Sequence, residues 1–181
     1  QMRRLKEAGL YRNNHNLEAS RGYFDKICTT HSFEQRMNHV QMVRHAGIHP
    51  CSGGILGMGE TPRDRIDLAF ELKRLEADCV PINILNPRPG TPMQGRSRLS
   101  PTYCLKTLAM FRFVNPSRDI RAAGGREVNL RSLQPLALYA ANSIFTNGYL
   151  TTPGNDENAD IRMIRDMGFE VLLPEGKAQA A

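Results

Sequence analysis

Ten residues, Cys51-Ser52-Gly53-Gly54-Ile55-Leu56-Gly57-Met58-Gly59-Glu60, restrict the fold more than any other stretch. They lie between two segments of helical period and read as a short strand that runs into a glycine-rich turn. Four glycines within seven residues strip the strand end of side chains, so another backbone or a bound group can approach closely. In an extended strand Cys51, Gly53 and Ile55 face one way and Ser52 and Gly54 the other. One face then presents a thiol, a gap and an apolar contact in series. Read for packing alone, the same glycines simply admit neighbouring helices to a barrel strand.

The pattern on either side repeats. Arg3 to Ala8 ends a helix at Gly9, and Leu10 to Asn16 reads as a strand entering a polar, Asn-rich loop. Ser32 to Ala46 is a helix with Ser32 as cap, Gln35 completing a capping box, and Phe33, Met37, Val40 and Val43 along one face. After the glycine-rich stretch, Thr61 and Pro62 open a helix whose buried side is assigned to Ile66, Ala69, Phe70 and Leu75. Cys79 to Leu85 is a strand with one polar residue, Asn83. Ser100 and Pro101 open a third helix, stopped at Asn115-Pro116. Asp119 to Gly125 is a strand and turn, Leu130 to Ala140 a fourth helix bent at Pro135, and Ala141 to Phe145 a last strand. A final helix runs from about Glu157 to Met167.

Strand followed by helix, four times over, specifies an α/β fold with parallel strands and crossover helices. An open doubly wound sheet satisfies this pattern. The C-terminal half of a (β/α)8 TIM barrel satisfies it better, because polar residues fall in or just after successive strands and a barrel gathers such ends at one mouth. A whole barrel takes about 250 residues; the four βα units here make about half. The expected organisation is a partial barrel over 1–173 and a tail over 174–181. The chain opens on Gln1 within a helical pattern, as expected of a piece of a longer protein.

The formal charge of +6 raises the question of nucleic acid. The basic residues are scattered among acidic ones with no run or aromatic-interleaved patch, so a solvated surface is expected and no nucleic-acid partner. No apolar run is long enough to span a bilayer. Cys28, Cys51, Cys79 and Cys104 are far apart and form no CxxC pair, which points to reduced thiols and a cytoplasmic location.

Period-two alternation directs Asn14 and Asn16, Cys51 and Ile55, Asn83, and Arg121 towards one interior. A thiol, three amides and a guanidinium would then converge. A buried Arg121 needs an anion, and Glu127 is a candidate partner from the sequence. No Ser/His/Asp order, paired-carboxylate spacing or histidine-rich metal pattern competes, and the five histidines read as mostly solvated.

Five separated motifs resemble those of the biotin synthase family, in the same order: Asn14 to Glu18, Cys51 to Glu60, Pro81-Ile82-Asn83, Ile120 to Asn129 (IRAAGGREVN) and Ala140 to Thr152 (AANSIFTNGYLTT). The likeness runs from about Leu5 to Gly168 and is nearest to the Gram-positive form. It implies half of a radical S-adenosylmethionine (SAM) TIM barrel, a sulfurtransferase that inserts sulfur into dethiobiotin to give biotin. It implies SAM, a [4Fe-4S] cluster that cleaves SAM, and a [2Fe-2S] cluster that donates sulfur. It further implies an electron donor such as flavodoxin or ferredoxin, and a homodimer.

By the same resemblance, Cys51 and Arg121 match two ligands of the [2Fe-2S] cluster, the residues at the centre of catalysis. Asn16 and Glu18 match the pair holding the SAM ribose, with Asn16 also reaching substrate, and Ile55 lies in the GxIxGxxE pattern that meets the adenine. Asn83 matches an amide on the ureido ring of dethiobiotin, Asn14 lies beside that pocket, and Thr151 and Thr152 match a pair near the substrate carboxylate. Cys28, Cys79 and Cys104 match no ligand and are read as core or surface thiols.

The chain departs from the family at Asn13, where Tyr is commoner, and at Glu18, where the shorter Asp or Asn is commoner. The CxxxCxxC motif of the [4Fe-4S] site is not in these 181 residues, so the chain alone is expected to be inactive. Two alternatives remain at this level: another radical SAM enzyme of the hydrogenase-maturation type, and a non-catalytic half barrel.

Overall fold

The computed structural model describes residues 1–149 and 154–172. Thr151, Thr152 and the tail assigned to 174–181 lie outside the described residues.

The strands are all parallel. They are β1 (Arg12–Asn14), β2 (His49–Cys51), β3 (Gly54–Leu56), β4 (Cys79–Ile84), β5 (Asp119–Ala122) and β6 (Ser143–Ile144). Their order is β1-β2-β4-β5-β6, with β3 also on β4. Spatial order follows chain order without reversal. A doubly wound sheet reverses at a switch point, so the arrangement is that of a barrel wall.

The α-helices are α1 (Met2–Glu7), before β1, then α2 (Arg21–Phe24), α3 (Phe33–His45), α4 (Pro62–Arg74), α5 (Pro101–Val114) and α6 (Arg126–Leu130) between strands, and α7 (Glu157–Asp166) after β6. Their starts are set chemically. Ser32 with Gln35, and Thr61 with Asp64, form capping boxes, and Ser100 accepts from the Tyr103 N–H. Each such cap is worth about 1 kcal/mol.

Alternation along β4 and β5 divides the sheet into two faces. Val80, Ile82, Ile84, Ile120 and Ala122 join Leu68, Ala69 and Leu72 of α4 and Cys104, Leu108 and Phe111 of α5 in one apolar core, each almost wholly buried. The opposite face carries Cys79, Pro81, Asn83 and Arg121. Burying a Leu, Ile or Phe contributes about 1.5–3 kcal/mol, so a one-residue slip of register would exchange this core for polar groups.

Three local expectations are corrected. The glycine-rich strand is broken into β2 and β3 at Ser52-Gly53. There the chain runs against β4 so closely that a Cβ on Gly53 would stand 1.8 Å from the Pro81 carbonyl oxygen. The segment after α6 is a 3-10 helix, Arg131–Tyr139, not an α-helix, because Pro135 lacks the N–H an α-helical turn needs. On α4 the buried residues are Leu68, Ala69 and Leu72, while Ile66 and Phe70 are exposed. Arg65 occupies the inward position there, paired with the buried Glu60 at 2.7 Å.

Candidate functional site

Parallel register brings neighbouring side chains to one face. Asn14 is opposite Cys51, Cys51 opposite Cys79, Ile55 opposite Asn83, Pro81 opposite Arg121 and Arg121 opposite Ser143. On this face lies a hollow of about 350 Å³ walled by Arg12, Asn14, Asn16, Cys51, Pro81, Asn83, Arg121, Phe145 and Tyr149. The structure thus brings together Asn14, Cys51, Asn83 and Arg121 from four different strands and Asn16 from a loop. Glu18 and Ile55 flank this hollow without lining it.

Cys51 is 4% exposed. The Asn14 amide donates to its sulfur at 3.3 Å and to its carbonyl oxygen at 3.3 Å. The neighbouring Cys79 thiol, more than any other group, holds the Cys51 pKa below that of an ordinary thiol. Asn14, Arg121 and Arg12 act in the same direction, against the opposing effect of burial. The Cys79 thiol is pushed up correspondingly, by its proximity to Cys51 and by burial. Thiolate is the form that binds metals and attacks electrophiles.

Arg121 Nε donates to Ser143 Oγ at 2.7 Å, and its guanidinium lies over the Phe145 ring, 5.4 Å from the centroid. Glu127 does not satisfy it. That carboxylate instead binds Arg126 at 2.8 Å, and among the described residues no carboxylate pairs with Arg121. A cation on the wall of a hollow, without a protein counter-ion, is equipped to meet an anionic group. Phe145 and Tyr149 stack in parallel 4.8 Å apart and close that side of the hollow.

Asn16 Oδ1 accepts from the Gly53 N–H at 3.2 Å, and its own carbonyl accepts from Arg36 at 2.7 Å. Glu18 sits at φ +69 and bridges to Gly54 through its backbone. Burial raises its carboxyl pKa, against the pull of Arg36, and its Oε2 is buried without a partner among the described residues. It is an acceptor waiting for a hydroxyl or amine. Asn83 accepts from the Gly124 N–H at 3.0 Å and donates to the Gly54 carbonyl at 3.4 Å, which fixes its amide at the rim. Glu60 buckles the glycine-rich turn. Its carboxylate accepts from the N–H groups of Gly57 at 2.7 Å and Gly59 at 3.0 Å.

Sequence reasoning missed Arg12, Cys79, Ser143 and the aromatic pair. Arg12 shares a face with Asn14, and Cys79 with Asn83, by the alternation already applied to their neighbours. Cys79 was set aside because it matched no motif. The histidines are also less free than expected: His15 stacks on His39 at 4.1 Å, and His49 meets Asp78 at 2.7 Å.

Two family models divide the chain. Residues 1–72 match the radical SAM superfamily, and residues 81–170 match the biotin and thiamin synthesis associated domain. The biotin synthase of Bacillus cytotoxicus is 56% identical over 171 residues, which is 94% of this chain and 52% of that protein. The biotin synthase of Bacillus subtilis is 54% identical, again over 94% of this chain, and covers 51% of its own length.

Over 94% of its length this chain is similar to biotin synthases.

It spans about half the length of the curated relatives it matches. Among solved structures, methylornithine synthase superposes with a TM-score of 0.79 at 20% identity, covering 95% of this chain and 55% of the other. The hydrogenase maturase HydG superposes with a TM-score of 0.75 at 13% identity, covering 93% and 41%. At those identities the likeness is one of fold alone, that of a partial parallel-stranded barrel. No helix among the described residues is long and apolar enough to cross a membrane.

Proposed function

We propose that this chain is the C-terminal half of a biotin synthase barrel, a sulfurtransferase whose hollow receives dethiobiotin, SAM and a [2Fe-2S] cluster. The observation that carries the reading is the meeting of Cys51, Arg121, Asn14, Asn16 and Asn83 on one wall, in a chain more than half identical to biotin synthases. The residues suit the groups. Cys51 offers a sulfur inclined to ionise, as iron requires. Among the described residues no carboxylate pairs with Arg121. The orphaned Glu18 Oε2 suits a ribose hydroxyl.

When bound, a [4Fe-4S] cluster held by the rest of the barrel supplies the electron that splits SAM, and the [2Fe-2S] cluster supplies the sulfur. The chain's own residues position and enclose. Cys51 and Arg121 would hold the [2Fe-2S] cluster. Asn16 and Glu18 fix the ribose, and Ile55 packs against adenine beside the glycine-rich turn. Asn83 and Asn14 present donors and an acceptor to a ureido ring. Thr151 and Thr152, by the family resemblance alone, are assigned to the substrate carboxylate. Phe145 and Tyr149 exclude water from the reacting carbons. In this reading residues 1–173 are the partial barrel and 174–181 a tail. The intact enzyme is a cytoplasmic homodimer reduced by a flavodoxin or ferredoxin.

The test is to combine the chain with an N-terminal half carrying CxxxCxxC, reconstitute iron and sulfide anaerobically, and measure dethiobiotin binding and biotin formation. Asn83→Ala should weaken dethiobiotin binding about tenfold or more, from one lost hydrogen bond and its unpaired partner. Unchanged binding in that variant, or no SAM cleavage by the combined halves, would count against the reading.

A further inference from the structure

Cys79 has no part in the function proposed above, yet its place in the fold is not that of a core thiol. It is fully buried, but it lies outside the apolar core that holds Cys104. It shares the concave face with Pro81 and Asn83, in direct parallel register with Cys51 on the adjacent strand. Neighbouring strands run about 4.7–4.9 Å apart, and a disulfide accepts a Cα separation of about 4.4–6.8 Å. The two sulfurs differ in access. Cys51 lines the hollow, whereas Cys79 is sealed below it.

We propose that Cys51 and Cys79 form a redox couple, Cys51 the attacking sulfur and Cys79 the resolving one, which closes into a disulfide across β2 and β4 when no metal occupies Cys51. The oxidant is a low-molecular-weight disulfide. The Cys51 thiolate attacks one of its sulfurs, so the small S–S bond breaks, a mixed disulfide forms on Cys51, and one small thiolate leaves. Cys79 then gives up its proton and attacks the Cys51 sulfur, expelling the second small thiolate. The small disulfide is reduced to two thiols, and the protein loses its two thiol hydrogens. The bond would withdraw the Cys51 sulfur from iron and lock the strands around Gly53. The effect on iron rests on the ligand assignment proposed above, whereas the bond itself does not.

The experiment treats the reduced 181-residue chain with hydroxyethyl disulfide, small enough for the hollow, and maps its peptides by mass spectrometry. The expected product joins the Cys51 and Cys79 peptides. Cys79→Ser should stop at a hydroxyethyl adduct on Cys51, and Cys51→Ser should leave Cys79 unmodified. The same reaction in guanidinium should scatter bonds among all four cysteines. The proposal is overturned if the native chain shows that scatter. It is equally overturned if adducts accumulate on Cys51 of the parent chain, or if Cys79 reacts as readily in Cys51→Ser as Cys51 does in the parent.

Discussion

Replacing Gly53 with Ala tests how the strand break and the hollow depend on each other. The added Cβ would lie 1.8 Å from the Pro81 carbonyl oxygen and 2.8 Å from its carbon. Real Cβ contacts stay beyond 3.0 Å, so the two backbones must part by more than ~1 Å. Neither neighbour is a side-chain tip that can rotate aside. Separation stretches the bond from the Ser52 N–H to the Cys79 carbonyl, now 2.9 Å. It also stretches those from the Glu18 N–H to the Gly53 carbonyl, 3.1 Å, and from the Gly53 N–H to Asn16, 3.2 Å. Overpacking costs about 1–3 kcal/mol, and each weakened hydrogen bond up to about 1 kcal/mol more. A loss of about 3–5 kcal/mol follows, a large part of the stability of any single domain.

Gly57→Ala is the control. Gly57 sits at φ +93, but the nearest atoms to its added Cβ are 3.5 Å away. It should lose only the cost of left-handed backbone, about 1–2 kcal/mol. Urea titration followed by far-UV circular dichroism measures both. A Gly53→Ala chain within about 0.5 kcal/mol of the parent, or less affected than Gly57→Ala, would refute the close-approach argument.

Two further outcomes follow from buried charge. Asp160 and Arg126 are both almost fully buried and pair at 2.7 Å, so Asp160→Ala leaves Arg126 with Glu127 as its one carboxylate partner among the described residues, beside the neutral acceptors Gln134 and the Phe145 carbonyl, and should cost about 3 kcal/mol by the same titration. The His15 pKa is held down at about 4, by burial first and then by His39 and Arg36. The unfolded chain therefore takes up that proton first. The stability His15 contributes is complete above its ordinary pKa of 6.5 and is lost as pH falls from there towards 4. His15→Gln should flatten that part of the stability–pH curve; an unchanged slope would show that other groups set it.

The wall was legible where side-chain period and motif agreed. Asn14, Cys51, Asn83 and Arg121 were each assigned inward from alternation, and the register puts them there. The capping boxes at Ser32 and Thr61 were legible because three-residue spacing is local chemistry. What escaped depends on contacts between distant segments. The partner of Arg121 could not be read from nearby acids, since Glu127 is claimed by Arg126 and Ser143 does the bonding. Ile66 and Phe70 were placed inward on hydrophobicity alone. The helix is instead phased by Leu68 and Leu72, with Arg65 tied to Glu60 and lying over Tyr103. The break at Ser52-Gly53 reflects the approach of β4, a segment far along the chain.

The proposal that Cys51 is an iron ligand is tested most directly by iron spectroscopy. The chain, joined to a CxxxCxxC-bearing N-terminal half and reconstituted anaerobically, should show both [4Fe-4S] and [2Fe-2S] signatures by Mössbauer spectroscopy. Cys51→Ala should keep the first and lose the second. A Cys51→Ala protein that retains its full [2Fe-2S] content would contradict the account.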